Sequence, residues 1–188
     1  RVCDSLNTVT RARATHGPRP YNRPIRQITL FSFMPNHCRN RVTISAHEGK
    51  EDQFKAVLKA FESDRPFQSL YPQPDWPNTP NDKGELPKLK ELKNPDGSVF
   101  MITYEFPDGK NDDRWYDWCY KHWGTKWDAY DREEGDIDEE CGYAEFEFHT
   151  AWGPADGIYN KIAEDYPDVS VSWFYDEPGM ECAGYLPN

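Results

Sequence analysis

An α+β sandwich, with helices covering one face of an antiparallel sheet, is the fold class this chain predicts, and three observations predict it. The alternating segment Val42-Thr43-Ile44-Ser45 runs directly into an amphipathic helical stripe, Phe54, Val57, Leu58 and Phe61. A second strand-helix-strand passage follows between residues 141 and 175, where the period-two segment 143–149 leads through Ile158, Tyr159 and Ile162 to VSVSWFY. Only 37% of the 188 residues are apolar, yet seven Trp, eleven Tyr and ten Phe make 15% aromatic, so a few large rings must close the core. A chain of this length is expected to hold about one domain of some 100 to 150 residues.

Residues 1–33 hold six Arg, no Lys and one acid, a net +5, with Pro18, Pro20 and Pro24 among the arginines. They read as a basic extended arm, or equally as upstream sequence that is not native to the domain, because Met34-Pro35-Asn36 looks like a start just before the first patterned strand. Residues 34–188 hold 16 basic and 32 acidic residues, a net −16. Such a body repels nucleic acid and favours basic partners.

The first strand is expected over residues 41–46. Its helix opens with Glu51 and Asp52, which suit the positive end of the helix dipole, and ends at Arg65-Pro66. Residues 66–97 carry seven prolines and two glycines, which exclude a regular helix or a central strand. They open an insertion running to about residue 112, with one strand of its own, SVFMITYEF, over 98–106. A helix capped by Asn111 or Asp112 buries Trp115, Trp118, Cys119 and His122 and closes at Gly124. Two strands over 126–130 and 141–149 are joined by the acidic loop REEGDIDEE, and alternation turns Phe146 and Phe148 inward. Pro154 starts a helix that ends at Tyr166-Pro167, followed by a strand over 169–175, a turn, and a last short strand over 181–186. The result is a ferredoxin-like βαββαβ sandwich with a Pro-rich insertion after its first helix and an extra C-terminal strand.

Four blocks, Met34-Pro35-Asn36-His37-Cys38-Arg39-Asn40, Trp123-Gly124-Thr125-Lys126-Trp127-Asp128, Thr150-Ala151-Trp152-Gly153-Pro154 and Tyr175-Asp176-Glu177-Pro178-Gly179, resemble in order the YubB-type proteins of conjugative plasmids and phages. The resemblance covers residues 34–188. It implies a ferredoxin-like domain and a mobile-element context, with no established biochemical activity. The arm has no counterpart in that family, whose usual start matches Met34.

No nucleophile elbow, phosphate loop or other catalytic signature is present, and no cofactor is expected. The spacing of His37, Cys38, Cys119, His122, Cys141, His149 and Cys182 argues against zinc, since only Cys119-x2-His122 forms a close pair. Five widely spaced cysteines read as free thiols, and the absence of a long apolar run predicts a cytoplasmic, non-membrane protein.

Two binding surfaces are candidates. One is a ligand or nucleotide groove using Trp123, Thr125, Lys126, Trp127, Asp128, Trp152, Gly153, Tyr175 and Glu177, with indoles for stacking and free amides near Gly153 for an anion. The plain alternative makes these rings core and these glycines turns. The other is an acidic docking surface of Glu133, Glu134, Asp136, Asp138, Glu139 and Glu140, where the alternative is a solvated hairpin tip. Glu145, Glu147 and His149 share a strand face, which suits acid/base chemistry or an ordinary solvent-facing edge. The leading expectation is a non-enzymatic protein of a mobile element that contacts a basic host protein, with the groove as the alternative and a hydrolase as the weaker one.

Overall fold

The computed structural model describes residues 36–187. The expected arm, residues 1–33, lies outside them. The described chain is mixed α+β, with four helices and two antiparallel sheets.

The larger sheet has five strands. They are β1 (His37–Ala46), β4 (Tyr130–Asp138), β5 (Tyr143–Ala151), β6 (Val169–Glu177) and β7 (Cys182–Leu186), in the spatial order β4-β5-β1-β6-β7. Alternation decides which face is covered. Along β1 Cys38, Asn40, Val42 and Ile44 are buried while His37, Arg39 and Arg41 are exposed. Ala144, Phe146 and Phe148 on β5 and Trp173 and Tyr175 on β6 join the same buried side, and Val42 stands opposite both Phe146 and Trp173.

Helix α1 (Glu51–Glu62) covers that side with the Phe54, Val57, Leu58 and Phe61 stripe. Phe61 stacks on Phe146 at 4.9 Å and meets Trp173 edge-on at 6.4 Å. Helix α4 (Asp156–Asp165) adds Ile158 and Ile162. Two further helices complete the layer: the short α2 (Pro66–Leu70), which was not expected, and α3 (Arg114–Trp123), the helix expected to close at Gly124, which buries Cys119 and Trp123. The few-large-rings core is therefore real, but only part of the aromatic inventory builds it. Trp123 and Trp173 are interior, while Trp127 and Trp152 are both 38% exposed.

Helix α3 ends at Gly124, whose φ of 82° lies in the left-handed region that favours glycine. A Cβ at Gly157 would fall 2.2 Å from the His122 carbonyl oxygen, so these glycines let the end of α3 sit against the start of α4.

Three sequence expectations are corrected. The acidic segment is not a loop: Asp131 to Asp138 belong to β4, an edge strand with register shifts on either side of Glu133-Glu134, and the turn is confined to residues 139–142. Edge strands tolerate and even favour charge, because charge blocks unwanted pairing. Residues 124–129, read as a strand from Lys126, are irregular. The Pro-rich region holds regular structure after all. Proline at N1 starts α2, and β2 (Lys88–Lys93) pairs with β3 (Val99–Glu105) in a separate two-stranded sheet. No described helix is long and apolar enough to cross a membrane.

Candidate functional site

Segment 124–132, which follows α3, is tied down by three side chains. Thr125 is fully buried, donates to the Ala151 carbonyl at 3.0 Å and accepts from the Ala151 N–H at 3.1 Å, which brings the WGTKWD block against the TAWGP block. The Asp128 carboxylate accepts from the backbone N–H groups of Phe67 (2.9 Å), Gln68 (3.0 Å) and Ala129 (2.9 Å). It thereby caps the N-terminus of α2 from a distant part of the chain. Arg132 donates to the carbonyls of Phe61 and Ser63 and closes the C-terminal end of α1. Burial is the dominant influence on Asp128 and raises its pKa; its three N–H donors and Arg65, at 4.0 Å, oppose that shift.

Beside this segment lies a cavity of about 320 Å³. Its walls are Trp76, Tyr104, Trp115, Trp123 and Trp127. Arg65, Gln73, Lys126 and the carboxylates of Asp112 and Asp128 supply the polar lining. The two acids are already engaged. Asp112 takes a two-pronged bond from Arg114 at 2.9 Å on each oxygen, and Asp128 holds α2. Arg114 in turn lies over the rings of Trp76 and Phe106 and donates to the Thr79 and Pro80 carbonyls, fastening the insertion to α3. Lys126 makes no ion pair among the described residues and rests on Trp127, its ammonium 4.5 Å from the ring centre. The acids are spent, Arg65 is shared with Asp128 and Lys126 has no ion pair among the described residues, so the cavity offers stacking surface and positive charge.

Of the nine residues expected at a ligand groove, four line this cavity: Trp123, Lys126, Trp127 and Asp128. Thr125 is a buried strut. Trp152 is exposed at a positive φ of 73° and donates its N–H to Asn36, and the Gly153 carbonyl accepts from Thr150 at 2.7 Å. At the start of α4 the Asp156 carboxylate accepts from the Gly157 N–H at 2.8 Å, one residue beyond the stretch whose amides were expected to hold an anion. Tyr175 and Glu177 lie on β6, the strand next to β7, and not at the cavity. Both are buried. One Glu177 oxygen accepts from the Met180 N–H and the other has no hydrogen-bond partner.

Sequence reasoning missed Trp76 and Tyr104, which come from the insertion. The signal was its aromatic content, with no periodicity to say where the rings point.

The opposite face of the five-stranded sheet carries no helix among the described residues. Glu145, Glu147 and His149 share it as expected, but each has a different neighbour. Glu145 accepts from the Tyr143 hydroxyl, Arg39 grips Glu147 with two bonds and lowers its pKa, and His149 lies 3.9 Å from Asp131. A carboxylate held ionised by an arginine is a poor proton donor at neutral pH. Burial pushes the Cys38 and Cys119 thiols up to about 11, which keeps them protonated and unreactive. Among the described residues no group of three or more His, Cys, Asp and Glu is placed to hold a metal ion. The six acids expected to dock a partner are all exposed, four on β4 and Glu139 and Glu140 in the turn after it.

Comparison of the chain with protein-family models, with curated proteins and with solved structures found no match.

Proposed function

We propose that this protein is a non-enzymatic binding module whose aromatic cavity holds a small planar anion, of the class of nucleoside monophosphates or aromatic carboxylates. One observation carries the reading: five aromatic residues line a cavity whose carboxylates are already hydrogen-bonded and whose Lys126 is in no ion pair among the described residues. A planar ring stacks between indoles, and its negative group meets Lys126 and Arg65. Titration with a panel of nucleoside monophosphates and aromatic carboxylates, followed by Trp fluorescence, should show saturable quenching for at least one. Removing a stacking ring costs about 1–3 kcal/mol, so Trp127→Ala should weaken that ligand about 5- to 150-fold. A flat response across the panel sinks the reading.

A second reading rests on the acidic edge. Six exposed carboxylates on β4 and its turn, on a body of net −16, support docking against a basic protein face. The YubB-type resemblance makes that partner a host protein, met in the cytoplasm by a product of a phage or plasmid. Capture on immobilised chain at low salt should retain a basic host protein, and replacing Glu133 and Glu134 with lysine should release it. Retention that ignores both salt and those replacements would discard the docking idea.

For the fold itself, the finer reading is ferredoxin-like. The order β4-β5-β1-β6, with α1 after β1 and α4 between β5 and β6, supports it, and β7 and the β2–β3 hairpin are then additions to that framework.

A further inference from the structure

The β2–β3 hairpin is the anomaly of the described surface. It pairs with no strand of the larger sheet, and a lone two-stranded sheet is marginally stable in water. Lys88 stands opposite Glu105, Lys90 opposite Thr103, Leu92 opposite Met101 and Lys93 opposite Val99, so the lysines share one face with Val99 and Met101, at 44% and 52% exposure, while Leu89, Phe100 and Ile102 lie on the other face. Contiguous exposed apolar side chains of this kind mark contact surfaces. The same hairpin carries Lys88, Lys90 and Lys93 on a strand with a single acid, Glu91, all of them exposed. Elsewhere residues 34–188 are strongly acidic, and the most acidic described edge is β4.

We propose that a second copy of this chain is the occupant, the hairpin of one copy lying against the β4 edge of the next. Lys88, Lys90 and Lys93 then face Glu133, Glu134 and Asp136, and the contact shields Val99 and Met101 on the lysine face. Charge selects this pairing. Two bodies of net −16 repel each other over most of their surfaces, and among the described strands β2, with three lysines and one acid, attracts a second acidic edge. Within one copy Lys90 pairs with Glu105, and Lys93 with Glu91 at 3.3 Å. Such exposed pairs are worth little, so exchanging them for contacts between copies costs little. The register shifts in β4 break up its ladder, which makes this a side-chain contact and not a continuous intermolecular sheet. Because the two patches differ, the contact is head-to-tail and closes as a reciprocal pair or extends into a chain.

The inference assigns a partner to the acidic edge and so rests on the protein-contact reading. Sedimentation velocity on the full chain at about 0.05 M and about 0.5 M salt tests it, since screening shortens sharply over that range. Wild type should self-associate at low salt and weaken about tenfold or more at high salt. The triple variants Lys88→Glu/Lys90→Glu/Lys93→Glu and Glu133→Lys/Glu134→Lys/Asp136→Lys should each be monomeric alone. Mixed together they should associate, because the acidic edge of the first meets the lysine hairpin of the second. Both remain net acidic, so bulk attraction does not explain association of the mixture. A monomeric wild type at low salt, or a mixture that stays monomeric, overturns the proposal. A monomeric chain that still retains a basic host protein loses only the self-association and keeps the docking reading.

Discussion

Replacing Asn40 with leucine is expected to lower the unfolding free energy by about 3 kcal/mol, even though it puts an apolar side chain into an apolar core. Asn40 is fully buried at the centre of the sheet. Its amide nitrogen donates to the Cys38 carbonyl at 2.9 Å and to the Thr150 hydroxyl at 2.8 Å, and its oxygen accepts from the Trp173 indole N–H at 2.9 Å. One side chain therefore satisfies polar groups on β1, β5 and β6. Leucine gains some burial but leaves the indole N–H without a partner, at about 1–3 kcal/mol for each orphaned buried group. The loss is a large fraction of the about 5–15 kcal/mol that holds a domain together. For a domain of this size it should appear as a melting point lower by about 10 °C. Trp173→Phe removes the donor that leucine strands. The double variant should therefore be at least about 1 kcal/mol more stable than the two single losses added together. Strictly additive losses in denaturant titrations, or an Asn40→Leu cost under about 1 kcal/mol, would show that the network is not what holds the three strands.

Asp128→Ala is expected to cost about 2–3 kcal/mol at neutral pH. The substitution strands the Phe67 and Gln68 N–H groups at the start of α2 and releases residues 124–129 from the helix they hold. The pH dependence has a definite sign. Burial places the folded-state pKa of Asp128 above its unfolded value, so the folded state holds the proton more tightly. The stability contributed by this group is full below the unfolded pKa of about 3.9 and declines as pH rises through the higher folded value. The difference between wild type and Asp128→Ala should therefore widen as pH falls toward that range. Urea unfolding at neutral pH and at about pH 4 measures it; a difference that narrows toward acid means the three accepted hydrogen bonds outweigh burial.

Both substitutions touch residues that the chain displays only as polar letters. Strands β1, β5 and β6 are recognisable without coordinates because their alternation repeats a local rule: Phe146 and Phe148 must face one way if Glu145 and Glu147 face the other. The α1 stripe is legible for the same reason, and Gly124 marks the end of α3 because a left-handed residue there suits glycine. The acidic segment failed on that criterion, since Asp131 to Asp138 lack apolar alternation, and an edge strand with one open side needs none. The β2 strand hid among prolines for a similar reason, its lysines and leucines alternating without a core to face.

The candidate site divides the same way. Its residue types were visible, and Trp123, Lys126, Trp127 and Asp128 do line one cavity, but their roles were not. Thr125 and Asp128 read as ligand contacts until their partners, Ala151 and the N-terminus of α2, are known. Trp76 and Tyr104 arrive from a region with no period, and nothing nearby in sequence announces that they meet Trp127.

Charge asymmetry, the aromatic core, the main strands and the amphipathic helices follow from composition and short-range period, because burial on one face acts on neighbouring residues. The order of strands, the cap that Asp128 gives to α2, the three-strand bond of Asn40 and the closing of the cavity depend on residues far apart in the chain, 61 positions for Asp128 and Phe67 and 133 for Asn40 and Trp173. Contacts at that distance leave no periodic trace, since each is a single pairing whose partner is chosen only when the whole chain has packed.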